Sequence, residues 1–281
     1  TSNRTTRARL PDRSWSYAPE MTIRMRDLLL GLRDLRLGEA PVIVHSSLKA
    51  FGQVEGGAAT VVSTLAGVFE KVIVPTFTYK TMIIPMSGPP NNGISYGAHE
   101  EQNQNAEFFT LRLPVDPLMG AIPELFRRHP LAKRTSHPIQ SFAGINAEII
   151  LGSQTMNDHL APLGLLEQSD GWVLLMGVDH TVNTSIHYAE KLAGRRQFIR
   201  WALTPGGVVE CPCFPGCSAG FQAIAEDMNR YSRKVQIGEA LVQAVPLKML
   251  MRVVVARIKK DPLALLCQQE DCERCGEIRK Q

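Results

Sequence analysis

No apolar run in this chain approaches the ~20 residues that a membrane-spanning helix requires, and no signal-peptide core opens it. The expectation is a cytoplasmic protein with no membrane partner. A surplus of one charge is missing as well. The formal net charge is +4 and scattered, without the concentrated basic face of a nucleic-acid binder. The Gly-x-Ser-x-Gly elbow, the Gly-x-Gly-x-x-Gly dinucleotide fingerprint and the Gly-x4-Gly-Lys-Ser/Thr phosphate loop are all absent. Serine-hydrolase, redox and kinase chemistry thereby lose their main support. No internal repeat is evident.

What is present is an ordinary globular composition: 281 residues, 44% hydrophobic and 21% charged. This is enough for one large core. Residues 1–20 show no apolar period and read as an extension outside the fold, leaving a single domain over residues 21–281. In the helix that follows Met21, Ile23, Leu28, Leu32 and Leu35 fall close to one stripe. Pro41–Val44 and Lys71–Thr76 read as buried strands, Glu55 onward and Met119–His129 as helices, and Asn146–Leu151 and Leu160–Gln168 as short helical pieces. A hairpin is expected over residues 195–210 around Thr204-Pro205-Gly206-Gly207. Helices follow over 219–231 and 246–260, with a short strand near Val235.

The chain is organised around Trp172–Glu190. An apolar run, Trp172–Val178, reads as a strand. It breaks at Asp179-His180-Thr181-Val182, and Asn183 or Thr184 can cap a helix that continues through Leu192. On that helix Asn183, His187 and Glu190 stand at i, i+4 and i+7, so an amide, an imidazole and a carboxylate share one face. An imidazole with an ordinary pKa of about 6.5, oriented by a carboxylate, suits proton transfer. The same spacing also describes a hydrogen-bonded structural histidine.

Gly177-Val-x4-Asn183-Thr-Ser-x-His187-x-Ala-Glu190 resembles the signature of the aminoglycoside 3-N-acetyltransferase family, and two further blocks resemble it in the same order. One is Val44-His45-Ser46-Ser47-Leu48 with Gly52 and Glu55-Gly56-Gly57-Ala58. The other is Arg134-Thr135-Ser136-His137-Pro138 with Ser141. The resemblance runs from about Met21 to Cys275. It implies an α/β fold with a central mixed sheet flanked by helices, and transfer of an acetyl group from acetyl-coenzyme A to the 3-amino group of an aminoglycoside's deoxystreptamine ring. An acetyltransferase acting on another small amine is the alternative.

The resemblance implies His187 as general base, with Glu190 or an acid from the 80–117 stretch holding its charged form and Asn183 and Thr184 donating to the thioester oxygen. His45 is the second catalytic candidate, or else a structural histidine that shapes its loop. Ser46, Ser47 and Leu48, the helix-opening Gly56 and Gly57, Thr76 and Ser136 are expected around coenzyme A, where free helix N–H groups suit phosphate. His137 is expected to support the site rather than form it. The Pro-, Gly- and Asn-rich stretch over 80–117 is too long for an idle connection in a compact domain. Its Glu100, Glu101 and Asp116, with Asp179 from the central segment, are the expected wall for a polycationic acceptor, although a solvated loop would look the same. The acting species is a monomer or homodimer.

Six cysteines without a secretion signal argue for thiols or metal ligands over disulfides. Cys267, Cys272 and Cys275 contain a Cys-x-x-Cys, but Cys211, Cys213 and Cys217 do not, and the groups stand about fifty residues apart. A zinc-binding protein is therefore the lesser alternative, and no metal ligand is expected. Removal of residues 1–20 is expected to leave acetylation and thermal unfolding unchanged; an unfolded truncated protein, seen by circular dichroism, would contradict this.

Overall fold

Strands that are apolar on both faces need cover on both sides, and the architecture follows from that requirement. The computed structural model describes residues 22–97 and 99–280, so the expectation for residues 1–20 lies outside the described residues. Helix α1 (Met25–Asp34) leads into β1 (Val42–Ser46), α2 (Gly57–Val68) and β2 (Val72–Pro75). A long excursion carries β3 (Met82–Ile83) and α3 (Glu100–Gln104). It is followed by α4 (Ala121–Arg127), β4 (Lys133–Arg134), β5 (Phe142–Ile145), α5 (Glu148–Leu151) and α6 (Ala161–Gln168). Then come β6 (Trp172–Met176), α7 (Thr184–Leu192) and the hairpin β7 (Phe198–Thr204) and β8 (Gly207–Phe214). The chain ends with α8 (Ala225–Asn229), β9 (Arg233–Ile237), β10 (Ala240–Pro246), α9 (Leu247–Lys260) and α10 (Glu273–Arg279).

A seven-stranded sheet has the order β4-β5-β2-β1-β6-β10-β9. β1 runs parallel to β2 and β6, and the outer pairs are antiparallel. The expected α/β fold with a mixed sheet and flanking helices is what forms. Period-two alternation divides the core. Val42, Val44, Val72, Val74, Leu174 and Met176 face the layer of α1, α2 and α4. Ile43, Ile73, Val173 and Leu175 face α6, α7 and α9. A separate three-stranded antiparallel sheet, β3-β7-β8, encloses a third cluster with Phe198, Phe214, Cys275 and Ile278.

Three parts of the chain differ from the sequence reading. The 80–117 stretch is not without structure. β3 pairs with β7, and Asn92 clasps the same hairpin, accepting from the Ile199 amide at 2.7 Å and donating to its carbonyl at 3.0 Å. The helix expected over 219–231 is a 3-10 turn, Phe221–Ile224, followed by the short α8. β10 was not anticipated. It continues from Gly238, whose φ of 57° turns the chain back on β9. Of the expected α1 stripe, Leu28 and Leu32 are buried in the helix, while Ile23 precedes it and bridges Val54.

Gly177 ends β6 at φ 67°, and a Cβ there would lie 2.3 Å from the Ala50 Cβ. Gly194 has a similar positive φ but nothing within 4 Å. Gly177→Ala is expected to cost roughly 2–4 kcal/mol, from left-handed strain plus overpacking, and Gly194→Ala about 1 kcal/mol from strain alone. Denaturant unfolding of the two variants checks the ranking.

Candidate active site

β1 connects to β2 on one side, while β6 docks on its other side with Val42↔Trp172 through Ser46↔Met176 in parallel register. The chain therefore diverges at the carboxyl ends of β1 and β6. In open α/β sheets that is where a crevice forms. A cavity of about 920 Å³ lies there, lined by Val44–Lys49 at and just past the end of β1, Pro75 at the end of β2 and Phe77 beyond it, and Val178, Thr181–Thr184 and His187 after β6. Its other wall comes from Gly93, Ile94, Gln102, Arg200, Phe214–Gly216, Glu273 and Arg274.

The Asn183 side chain caps α7, accepting from the Ser185 amide at 3.1 Å. Its Nδ2 faces Nδ1 of His180 at 3.2 Å. One turn on, His187 Nδ1 meets Glu190 Oε2 at 2.7 Å. The other oxygen, Oε1, accepts from Arg195 at 2.7 Å, and Arg195 also donates to the carbonyls of Pro262 and Ala264 at 2.8 and 2.7 Å. Glu190 is 1% exposed. With Nδ1–H directed to the carboxylate, Nε2 is the imidazole nitrogen left to act on a ligand. Phe221 packs edge-on against the ring, with centroids 4.7 Å apart.

Other histidines are buried around this centre. Burial, then the proximity of His180, lowers the His45 pKa to about 3. Burial lowers His137 and His180 to about 4 each and His159 well below the ordinary value. Among the described residues, His45 Nε2 and the Ser46 hydroxyl are buried at the cavity end of β1 with no protein partner. Such atoms suit a polar ligand. Tyr79, also in the wall, has its phenol pushed up to about 12 by burial and so remains an O–H donor.

The Arg134–Ser141 block acts as a clamp. Arg134 donates to the carbonyls of Thr76, Leu111 and Leu113, and Thr78 and Thr81 donate to the Pro138 carbonyl at 2.6 and 2.9 Å. His137 Nδ1 accepts the Gln140 amide at 2.9 Å. His137 thus ties its own loop together.

Of the residues expected in the site, His45, Ser46, Ser47, Leu48, Asn183, Thr184 and His187 line the cavity, and Glu190 stands behind His187. The remainder do not line it. Gly56 and Gly57 open α2 and are not among the lining residues. Thr76 is buried against Ser141, and Ser136 also lies outside the wall. The expected acidic wall is not formed. Glu100 and Glu101 are exposed in the first turn of α3, Asp116 caps the Pro117–Met119 turn, and Asp179 binds Thr181. Among the described residues in the lining, Glu273 is the one carboxylate, beside the cations Lys49, Arg200 and Arg274. Sequence reasoning missed Arg195, because the i, i+4, i+7 count stopped at Glu190. It also missed Arg200, which reaches the cavity from β7 of the second sheet, and Glu273 and Arg274, which reach it from the start of α10.

A family profile described as "Aminoglycoside 3-N-acetyltransferase" matches residues 43–259. The chain is 33% identical over 158 residues to the SPbeta prophage-derived aminoglycoside N(3')-acetyltransferase-like protein YokD of Bacillus subtilis, covering 53% of this chain and 57% of that protein. It is 28% identical over 166 residues to aminoglycoside N(3)-acetyltransferase IV of Salmonella, covering 57% and 56%. The match thus spans little more than half the length of these curated relatives. In three dimensions the fold is similar to apo aminoglycoside acetyltransferase AAC(3)-IVa, at a TM-score of 0.74 and 23% identity over 93% of this chain and 99% of that one. It is also similar to AAC-IIIb bound to CoASH, at 0.69 and 19% over 85% and 97%.

The buried histidines generate a pH dependence. Their folded pKa values lie below the ordinary 6.5, so between about pH 6.5 and 4 the unfolded chain binds more protons and stability rises with pH. Stability is expected to be complete above about pH 6.5 and lost toward pH 4, by up to ~1.4 kcal/mol per pH unit for each such histidine. His137→Asn, which keeps an acceptor for the Gln140 amide, should flatten that slope in denaturant titrations. An unchanged slope contradicts the assignment.

Proposed function

Because the chain belongs to the aminoglycoside 3-N-acetyltransferase family, we propose that it transfers the acetyl group of acetyl-coenzyme A to the 3-amino group of the deoxystreptamine ring of aminoglycosides, conferring resistance. The observation that carries this reading is the Arg195–Glu190–His187 chain of hydrogen bonds ending in the wall of the crevice beyond β1 and β6. An alkylammonium is mostly protonated at pH 7 and must lose a proton to attack. The ammonium gives its first proton to solvent, and as the neutral nitrogen forms its bond to the thioester carbonyl carbon, His187 Nε2 takes the second. The carbon–sulfur bond then breaks, and coenzyme A leaves as the thiolate and is protonated to the thiol by the His187 imidazolium.

Thr184, at the start of α7 and in the cavity wall, is the proposed donor to the carbonyl oxygen as charge develops there. The Asn183 oxygen caps the helix, as the sequence suggests, and its nitrogen meets His180, so its proposed role is to position the turn that carries Thr184. Ser46, Ser47 and Leu48 are the proposed cradle for coenzyme A, with Lys49, Arg200 and Arg274 as cations for its phosphates. Glu273 is the proposed anchor for an acceptor ammonium. His45, held neutral by burial, is proposed to hydrogen-bond ligand through Nε2. No helix among the described residues is long and apolar enough to cross a membrane, and a reaction that draws on acetyl-coenzyme A fits a cytoplasmic place.

The test is release of coenzyme A thiol with a panel of aminoglycosides, with the acetylated position read by NMR. Acetylation at the 3-amino group is expected; a panel with no acceptor would overturn the reading. His187→Ala should lower kcat on the order of 10²–10⁴-fold while coenzyme A binding, measured by calorimetry, survives. Glu190→Gln should lower kcat less, since it retains an acceptor for Nδ1–H but removes the charge. Unchanged turnover in His187→Ala removes the base assignment.

A further inference from the structure

The cysteines converge in a way their spacing conceals. Cys217, just beyond β8, and Cys267, beyond α9, meet Cys272 and Cys275 at the start of α10, and all four Sγ atoms lie within 4.8 Å of one another. Cys211 and Cys213 are not in this group. All six thiols are unbridged. A tetrahedral zinc site with ~2.3 Å Zn–S bonds has edges of about 3.8 Å, so small side-chain rotations would bring these sulfurs around one ion. We propose that Cys217, Cys267, Cys272 and Cys275 bind a structural Zn²⁺ that fastens α10 to the three-stranded sheet.

The surroundings fit a thiolate-bound cation. The Ala219 amide donates to Cys217 Sγ at 3.4 Å. Arg274 donates to the carbonyl of Gly216, beside Cys217, at 2.9 Å, and Arg279 donates to the carbonyl of Cys267. Two guanidinium groups therefore stand beside a centre that carries a net −2 charge when four thiolates hold one Zn²⁺. Cys267 and Cys275 are buried, Cys217 and Cys272 partly so. This closes the site on its inner side and leaves access from outside. Four sulfur ligands in a tetrahedron select zinc or iron over hard cations, and no position is left open for a substrate, as befits a structural ion.

The local need for a fastener is visible. α10 has seven residues, too few to stand alone, and residues 261–272 before it form no helix or strand. Glu273 and Arg274 at its start are in the cavity wall, so the ion would hold that wall in place without touching the acetyl transfer itself. The proposal stands independently of the reaction assigned to the cavity.

Full-length protein, purified under reducing conditions and loaded with Zn²⁺, is expected to retain one zinc per chain by plasma mass spectrometry. Co²⁺ loading should give the thiolate charge-transfer and tetrahedral d–d bands. Cys217→Ser should lose most of the zinc, while Cys213→Ser keeps it. Should Cys217→Ser or Cys275→Ser fail to fold, the wild-type protein still decides the matter: stripping by a chelator should lower Tm, and Zn²⁺, but not Mg²⁺, should restore it. Folded, reduced protein that takes up no zinc, tighter retention of iron than zinc, disulfides among these four cysteines by non-reducing mass spectrometry, or equal zinc loss in Cys213→Ser would each overturn the proposal.

Discussion

Glu190 is a carboxylate almost wholly out of water, and an unpaired charge in that position would cost several kcal/mol. It is tolerated because both oxygens are engaged, one by the His187 imidazole and one by the Arg195 guanidinium. Arg195 reaches on to the backbone beyond α9. One buried ion pair thus orients the imidazole, holds α7 against the later part of the chain and fixes which ring nitrogen faces the crevice. Loss of either partner leaves the other charge stranded, which makes this a network of specificity as much as of stability.

The two walls of the crevice differ in origin. The inner wall is made by the ends of β1 and β6 and by α7, all seated on a sheet buried on both faces. The outer wall is made by the β3-β7-β8 sheet, the 80–117 excursion and α10. The Asn183, His187 and Glu190 side chains lie on the first, and Arg200, Glu273 and Arg274 on the second. The outer wall is also more cationic than its loop composition suggests. Glu100 and Glu101 sit in the first turn of α3, where acidic side chains complement the helix dipole, and they remain exposed.

The C-terminal segment supplies Glu273 and Arg274 to that wall. Its attachment runs through the third hydrophobic cluster, with Cys267, Cys275 and Ile278 packed beside Phe198 and Phe214. The cysteine group lies at this seam. A tie between two parts of the chain about fifty residues apart is what a small peripheral sheet and a seven-residue helix need to hold one geometry.

By itself the sequence determined the buried strands β1, β2 and β6, α7 with its Asn183 cap, and the imidazole and carboxylate on one helix face. Each is encoded by neighbours a few residues apart, through period-two and period-3.6 patterns and a capping side chain. Its family resemblance also reached His45, Ser46 and Ser47, because they belong to one contiguous motif block, Val44–Leu48. Tertiary structure alone decided that Arg195 completes the relay, that Gly56, Gly57, Thr76, Ser136 and the four acidic residues stay out of the crevice wall, and that Cys217 joins the three C-terminal cysteines. Those outcomes depend on contacts between distant segments, whose closure leaves no period in the chain. A count of spacings can show which groups share a helix face, but not which loop folds over it.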